Sequence, residues 1–315
     1  MASIADVYPP EIWAMESLDV LRNTLVMARL VHRDFEDEVA SKGDKVNTRK
    51  PVEGTAKTWT GQSATTGLAN DEIEVQLPTA NAISITLDTL KYTAFLAEDV
   101  PASMAIKDIR EEFIVPYIGP IAEAVDDDIM TEFCSASSSD VAGGAIDRVA
   151  SATVGANAAM DEDDVIAARK DLNTNKCPFM KRIIVLGTDH EADLLSSDLF
   201  VAADSSGSTE ALVNANLGRK FGFDFYMSQN VPTADDTDST PQSLAFHRNA
   251  IALVTRPLLN PGDGLGVRSA VQSMDNVGIR VTAGYDIRWK GVVMSFDMLY
   301  GVQLLDELYA CIINP

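Results

Sequence analysis

The sequence predicts an α+β fold with long strands, one dominant helix and a mixed α/β module, on three observations. Strict alternation runs through Ile73, Val75 and Leu77, and again through Ile83, Ile85 and Leu87, the period of strands with one wet face. A stretch near residues 99–137 steps at helical intervals through Ile106, Ile109, Phe113 and Tyr117, then Ile121, Ala124, Val125, Ile129 and Phe133. Finally, the short apolar run in "KRIIVLG" lies between two helical patterns, and the chain returns to strand-like sequence after "NPGDGLG".

From the N-terminus, Trp13, Leu18, Leu21, Leu25, Ala28 and Val31 or Phe35 fall at intervals close to the helical repeat and share a helical face. No compact partner for this face lies nearby in sequence, so it is expected to pack on another subunit. From Ser41 the composition shifts to Thr, Gly, Asn and Lys, with "GQSATTGLAN" as the tip of a long two-stranded excursion. Such a finger is marginally stable alone and has to lie against something. Lys42, Lys45, Arg49, Lys50 and Lys57 make it locally basic, which fits either a solvated face or a finger laid across an acidic neighbour.

Proline lacks a backbone donor and clashes with the preceding turn, so Pro116 and Pro120 predict a short helix ending near Val115 and a longer one starting near Pro120. Beyond it, "SASSSDVAGGAIDRVASATVGANAAM" reads as linker. "DEDDVIAARKDLNTN" is a helix with acids in its first turn, as the macrodipole favours. "KRIIVLG" is a buried strand, and "TDHEADLLSS" a helix capped by Thr188 or Asp189. "LGRKFGFDFYMSQNVP" reads as turn and strand, and "TADDTDSTPQ" as an exposed acidic loop. Two strands, "GIRVTAGYDIRW" and "VVMSFDMLYGVQLL", meet at a turn at Lys290–Gly291.

Charge narrows the function. Lys+Arg number 25 against Asp+Glu 47, a net −22, and such a surface repels phosphate; this argues against a nucleic-acid reader, though not against a container wall facing packed nucleic acid. Cys134, Cys177 and Cys311 form no CxxC pair and read as free thiols of a reducing cytoplasm. The N-terminus lacks the layout of a signal peptide, and no run approaches the roughly 18 apolar residues of a membrane span.

A search for chemistry finds little. His32, His190 and His247 belong to no HExxH or His-x-His pair, and "DHE" at Asp189 to Glu191 opens a helix, where acids serve as caps. Asp126, Asp127 and Asp128 fan around a helix at about 100° per residue and cannot converge on one ion, so a solvated or subunit-facing acidic patch is expected. There is no GxSxG, and "GDGLG" precedes strand, where a dinucleotide fingerprint needs a helix. "SLAFHRNAIALVTRPL" places His247 beside Arg248 between two apolar runs. Without a third catalytic partner it reads as the bend of a buried hairpin, with Asn249 supplying positive φ and Pro257 ending the pairing. No catalytic residue, cofactor site or metal site is assigned.

In order, these pieces resemble the major capsid proteins of tailed bacteriophages, whose architecture is the Hong Kong 97-like fold. "ISITLDTLKYTAFLAEDVPASMA" resembles the return of an extended loop to the body. "PYIGPIAEAVDDDIM" resembles the start of the spine helix. "LGRKFGFDFYMSQNVP" followed by "LAFHRNAIALVTRPL" resembles the passage from axial to peripheral domain. The resemblance implies an N-terminal arm at 1–44, an extended β-hairpin loop (E-loop) at 45–97, a peripheral domain with a long spine helix from 98–159 and 261–315, and a mixed α/β axial domain at 160–260.

It further implies a non-enzymatic shell subunit. Copies would form hexamers and pentamers around double-stranded DNA bound without sequence specificity, assembled in the host cytoplasm into a virion. Portal and scaffolding proteins, and a decoration protein, would be partners; no membrane and no cofactor would be. Lys45, Arg49, Lys50, Lys57, Trp59 and Trp13 are the candidate inter-subunit contacts. A cellular nanocompartment shell of the same fold, and an unrecognised α/β enzyme, are the alternatives.

Overall fold

The computed structural model describes residues 10–33, 45–50, 54–58, 75–77, 81–98, 114–135, 147–150, 160–201, 215, 217–231, 243–260, 267–274 and 277–314. In chain order its elements begin with helices α1 (Pro10–Thr24) and α2 (Met27–Leu30), then strands β1 (Lys45–Lys50), β2 (Asn81–Thr86) and β3 (Thr89–Glu98). The long helix α3 (Val115–Ser135) leads to β4 (Asp147–Ala150), α4 (Glu162–Thr174), β5 (Arg182–Leu186), α5 (Thr188–Ser196) and α6 (Asp198–Val201). Strands β6 (Arg219–Lys220), β7 (Phe223–Met227) and β8 (Ser243–His247) follow, then a 3-10 turn (Arg248–Ala250) and β9 (Ile251–Arg256). The chain closes with β10 (Val267–Met274), β11 (Val277–Asp286), β12 (Gly291–Leu304), a 3-10 turn (Glu307–Tyr309) and β13 (Ala310–Asn314).

Three sheets organise these strands. One is ordered β10-β11-β12-β3, with β9 also paired to β12. A second is ordered β4-β13-β8-β5-β7-β6, mixing parallel and antiparallel pairs. The third is the two-stranded β1-β2 finger.

A single apolar core joins both large sheets. The inner face of the first sheet (Val281, Met294, Phe296, Tyr300) packs on α1, α2 and α3. The same cluster takes Ile183, Val185, Leu244 and Phe246 from the second sheet. Phe133, near the end of α3, meets Phe246 at 5.2 Å between ring centroids and bridges the two. On the far face of the second sheet, Ile184, Leu186 and Ala245 pack with Val165, Leu172 and Phe200 of the helices. β5 is therefore buried on both faces, which is why "RIIVL" is a continuous apolar run and not an alternating one.

Several expectations change. The N-terminal apolar face packs on its own chain, against α3, β10 and β11. Its partner lies far away in sequence, so no local pattern could reveal it. α3 runs through both prolines as one helix. Pro116 sits in the first turn, where its missing donor would be unbonded anyway, and both prolines are exposed, so the carbonyl that Pro120 leaves free faces water. Burial of Ile118, Ile121, Val125, Ile129 and Phe133 along one stripe holds the helix together across that gap. Ile106, Ile109 and Phe113 lie outside the described residues.

Inside the expected linker, residues 147–150 form β4, paired with β13. The cap of α5 is Gly187, not Thr188 or Asp189. α4 has the expected acids in its first turn and also a capping box: Asp161 accepts the N–H groups of Asp163 and Asp164, and Asp164 reaches back to the Asp161 N–H. Cys177 and Cys311 are buried free thiols, and the Cys134 side chain lies outside the described residues.

"SLAFHRNAIALVTRPL" is no hairpin. β8 pairs with β13 and β5 in the second sheet, whereas β9 pairs with β12 in the first. The 3-10 turn between them is a crossover, and Asn249 is not among the described residues with positive φ. Residues 251–256 belong to the first sheet, while β4 and β13 join the second.

Candidate functional site

The finger is a two-stranded sheet separate from the two large ones. β1 and β2 pair in register from Lys45↔Thr86 to Lys50↔Asn81, and Ser84 Oγ donates to Asn47 Oδ1 at 2.7 Å. Further out, Gln76 stands in for the ladder. The Thr55 N–H donates to Gln76 Oε1 at 2.9 Å, and Gln76 Nε2 donates to the Thr55 carbonyl at 2.6 Å. Residues 75–77 are therefore not the half-buried strand their alternation predicts: Val75 is 78% and Leu77 87% exposed, with none of the described residues covering them. Lys45 and Lys57 are exposed on this projection, and Arg49 and Lys50 lie on β1. Trp59 and the expected tip at residues 61–70 lie outside the described residues, as do the Arg49 and Lys50 side chains.

The finger is rooted where Ile85 and Leu87 pack with Ala252, Val254 and Leu299. Gly301 on β12 allows this approach, because a Cβ there would stand 2.2 Å from the Thr86 carbonyl oxygen.

Trp13 lies in the core of its own chain. It is 3% exposed and packs 6.2 Å from Phe95 within its own chain. The turn between β11 and β12 carries the feature that sequence reasoning missed. Ile287 is 80% and Trp289 65% exposed there, beside Arg288 and Lys290. The available signal was a large aromatic set between two cations in a turn, where no core can take it.

The three consecutive aspartates diverge, and two of them are structural, contrary to the expected acidic patch. Asp126, 2% exposed, accepts the N–H of Val26 at 2.8 Å and of Ala28 at 3.2 Å, tying the N-terminal helices to α3. Asp128 accepts the Tyr300 hydroxyl and lies 3.2 Å from Lys91 Nζ, which links α3 to the first sheet. Asp127 faces outward.

The histidines were the best candidates for chemistry. Ser243 Oγ stands 2.6 Å from His190 Nδ1 and also accepts the Gly187 N–H. A hydroxyl beside an imidazole is the start of a nucleophilic pair. Here Ser243 is 0% and His190 1% exposed, so a substrate has no approach. The His247 ring is also occupied by structure: Nδ1 accepts the Asn249 N–H at 3.2 Å, and the imidazole hydrogen-bonds the Met180 backbone. No group of three or more possible metal ligands gathers among the described residues.

Both rings carry a pH consequence. Burial holds the pKa of His190 below its ordinary value, against the opposing pull of Asp193 and Asp189. Burial also lowers that of His247, reinforced by Arg182 and Lys181. Nε2 of His190 is buried with no hydrogen-bond partner among the described residues, so no hydrogen bond at that nitrogen offsets the burial of an imidazolium. An unfolded histidine titrates near about pH 6.5, so the stability these residues give is complete above that and is lost as pH falls through it. The melting temperature of the subunit should drop between pH 7.5 and 5.5. His190→Asn, which keeps an acceptor near the Nδ1 position, should flatten that drop; an unchanged slope would contradict the assignment.

The whole arrangement has structural counterparts. A chain from Mycobacterium phage Che8 matches with a TM-score of 0.67 at 20% identity, covering 92% of this chain and 91% of that one. The capsid of cyanophage P-SCSP1u matches with a TM-score of 0.61 at 16% identity, covering 92% and 87%. A virus-like particle from Pyrococcus furiosus matches with a TM-score of 0.51 at 10% identity, covering 96% and 98%. A search of curated protein sequences gives no match. Two joined sheets, a long helix and a projecting finger thus define a Hong Kong 97-like fold.

The sequence itself matches the family described as phage capsid protein over residues 98–257, just over half of the chain. The chain belongs to the phage capsid protein family; it is a major capsid protein, a structural component of the virion shell.

Proposed function

We propose that copies of this chain associate through their fingers into hexamers and pentamers, and that these close an icosahedral head around double-stranded DNA. The observation that carries the reading is the finger. Its outer limb holds Val75 and Leu77 in water beside exposed lysines, a poor arrangement for an isolated subunit and a good one for a contact. Specific interfaces bury about 1,600 Å² in total, an area that a projecting hairpin can contribute to on a neighbour. Lys45, Arg49, Lys50, Lys57 and Trp59 are the finger residues proposed to meet it. The remainder of the chain is strongly acidic, so a basic finger is drawn to a second copy.

Net negative charge also lets DNA pack inside without adhering to the wall, so no sequence-specific DNA contact is invoked. Portal and scaffolding proteins, and a decoration protein, would be the further partners, with assembly in the host cytoplasm. A cellular nanocompartment would use the same fold around protein cargo; a portal or terminase gene beside this one would favour the phage head.

Electron microscopy of the purified protein tests the reading. Uniform shells, or pentamers and hexamers, are expected. Replacing residues 54–77 with a short Gly-Ser turn should leave a folded subunit that no longer forms them. A wild-type protein that stays a small oligomer under all assembly conditions overturns the proposal.

A further inference from the structure

We propose that the loop Cys177–Lys181 is a second assembly contact, a rigid apolar knob that docks on the acidic outer stripe of α1 in another copy. The inference rests on the shell-subunit reading above. Phe179 is 70% and Met180 75% exposed, adjacent large apolar side chains in a connection of only a few residues between α4 and β5.

A floppy loop could fold such residues inward, but this one is held from behind. Arg182, 2% exposed, donates from Nη2 to the Cys177 carbonyl at 2.6 Å, from Nε to the Pro178 carbonyl at 2.8 Å and from Nη1 to Asn173 Oδ1 at 2.8 Å. His247 hydrogen-bonds the Met180 backbone, and the Arg248 N–H donates to the Lys181 carbonyl at 3.3 Å. The Arg182 guanidinium also sits 5.0 Å from the Phe179 ring centroid and fixes its base.

Lys176 and Lys181, on either side, have φ of 56° and 59°. A non-glycine residue in that region is strained and persists where surrounding contacts over-determine it. The backbone is thus fixed and the two apolar side chains are presented outward. Such pre-organisation removes the ordering cost of binding, and a rigid aromatic with a neighbouring Met is the make-up of an interface anchor.

Charge selects the partner. Lys176 and Lys181 flank the exposed pair in sequence and Arg248 bonds the loop's backbone, while Asp306 lies on the side of its buried Cys177. Two other exposed apolar groups, the finger with Lys45 and Lys57 and the β11–β12 turn with Arg288 and Lys290, are themselves basic and would repel it. The outer side of α1 has the opposite character. Ile12, 50% exposed, and Met15, 70% exposed, lie one helical turn apart, flanked by Glu11 and Asp19. The helix carries no basic residue before Arg22 in its last turn. Knob and stripe are different surfaces of one chain, so their contact is head-to-tail, the type that closes rings.

The test is a charge exchange read in the assembly reaction. Lys181→Glu, and separately Phe179→Ser with Met180→Ser, should raise the concentration needed for shells roughly tenfold or more. Adding Glu11→Lys to Lys181→Glu should restore assembly. A benzophenone side chain in place of Phe179 should cross-link to residues 11–19 of another subunit. Melting of the unassembled variants should match wild type, which separates an interface defect from a folding defect. Wild-type shells with unaffected variants overturn this inference alone, whereas absence of wild-type shells overturns the parent reading. Cross-links to another part of the chain, or to a different protein, overturn the choice of α1.

Discussion

Gly301→Ala should uproot the finger. The added Cβ would lie 2.2 Å from the Thr86 carbonyl oxygen and 2.9 Å from its carbon, and both atoms are backbone, so no side chain can swing aside. Overpacking of a filled core commonly costs about 1–3 kcal/mol, and a rigid backbone neighbour puts this case at the upper end. The strain falls where β2 enters the body, beside Ile85 and Leu87. We expect a lower melting temperature, faster hydrogen exchange at residues 81–87 and poor assembly. Gly119, on α3, is the control: a Cβ added there would meet no described atom within 4 Å, so Gly119→Ala should stabilise the subunit by roughly 0.5–1 kcal/mol. Equal melting temperatures for the two variants would refute the close-approach argument.

Asp126→Ala is expected to release the N-terminal helices. The carboxylate is the partner of the Val26 and Ala28 N–H groups and also hydrogen-bonds the Met27 backbone, across about a hundred residues of chain. Removing it strands buried donors, and bonds to a charged group are worth about 1.5–3 kcal/mol each, so a loss of about 3–5 kcal/mol is expected. Burial pushes the Asp126 pKa above its ordinary value even though those three backbone bonds pull it down. The neutral isostere Asn, which keeps an acceptor oxygen, should therefore cost much less than Ala. Hydrogen exchange across residues 10–33 would report the release directly, together with the fluorescence of Trp13, now packed against Phe95. Protection unchanged in the Ala variant would show that apolar burial alone holds these helices.

Both variants act at contacts that a linear reading could not locate, and the same division runs through the molecule. What the sequence determined by itself is what neighbouring residues decide. The first-turn acids of α4 follow from Glu162 to Asp164 and the continuous run of β5 from "RIIVL"; the turn expected at Lys290–Gly291 falls at residues 287–290, with Gly291 already paired to Asp286 in β12. The order of these pieces was enough to suggest the fold, because chain order survives where individual residues diverge.

Tertiary structure alone decided which strand joins which sheet, since pairing energy comes from partners far along the chain. "SLAFHRNAIALVTRPL" looked like one hairpin and is a crossing between two sheets, because β8 finds β5 and β13 while β9 finds β12. The same distance hid the partner of Trp13 and the role of Asp126. It also made Val75 and Leu77 look half-buried, for alternation reports that a face is apolar and not whether its own chain covers it. Only the folded chain shows that face standing bare.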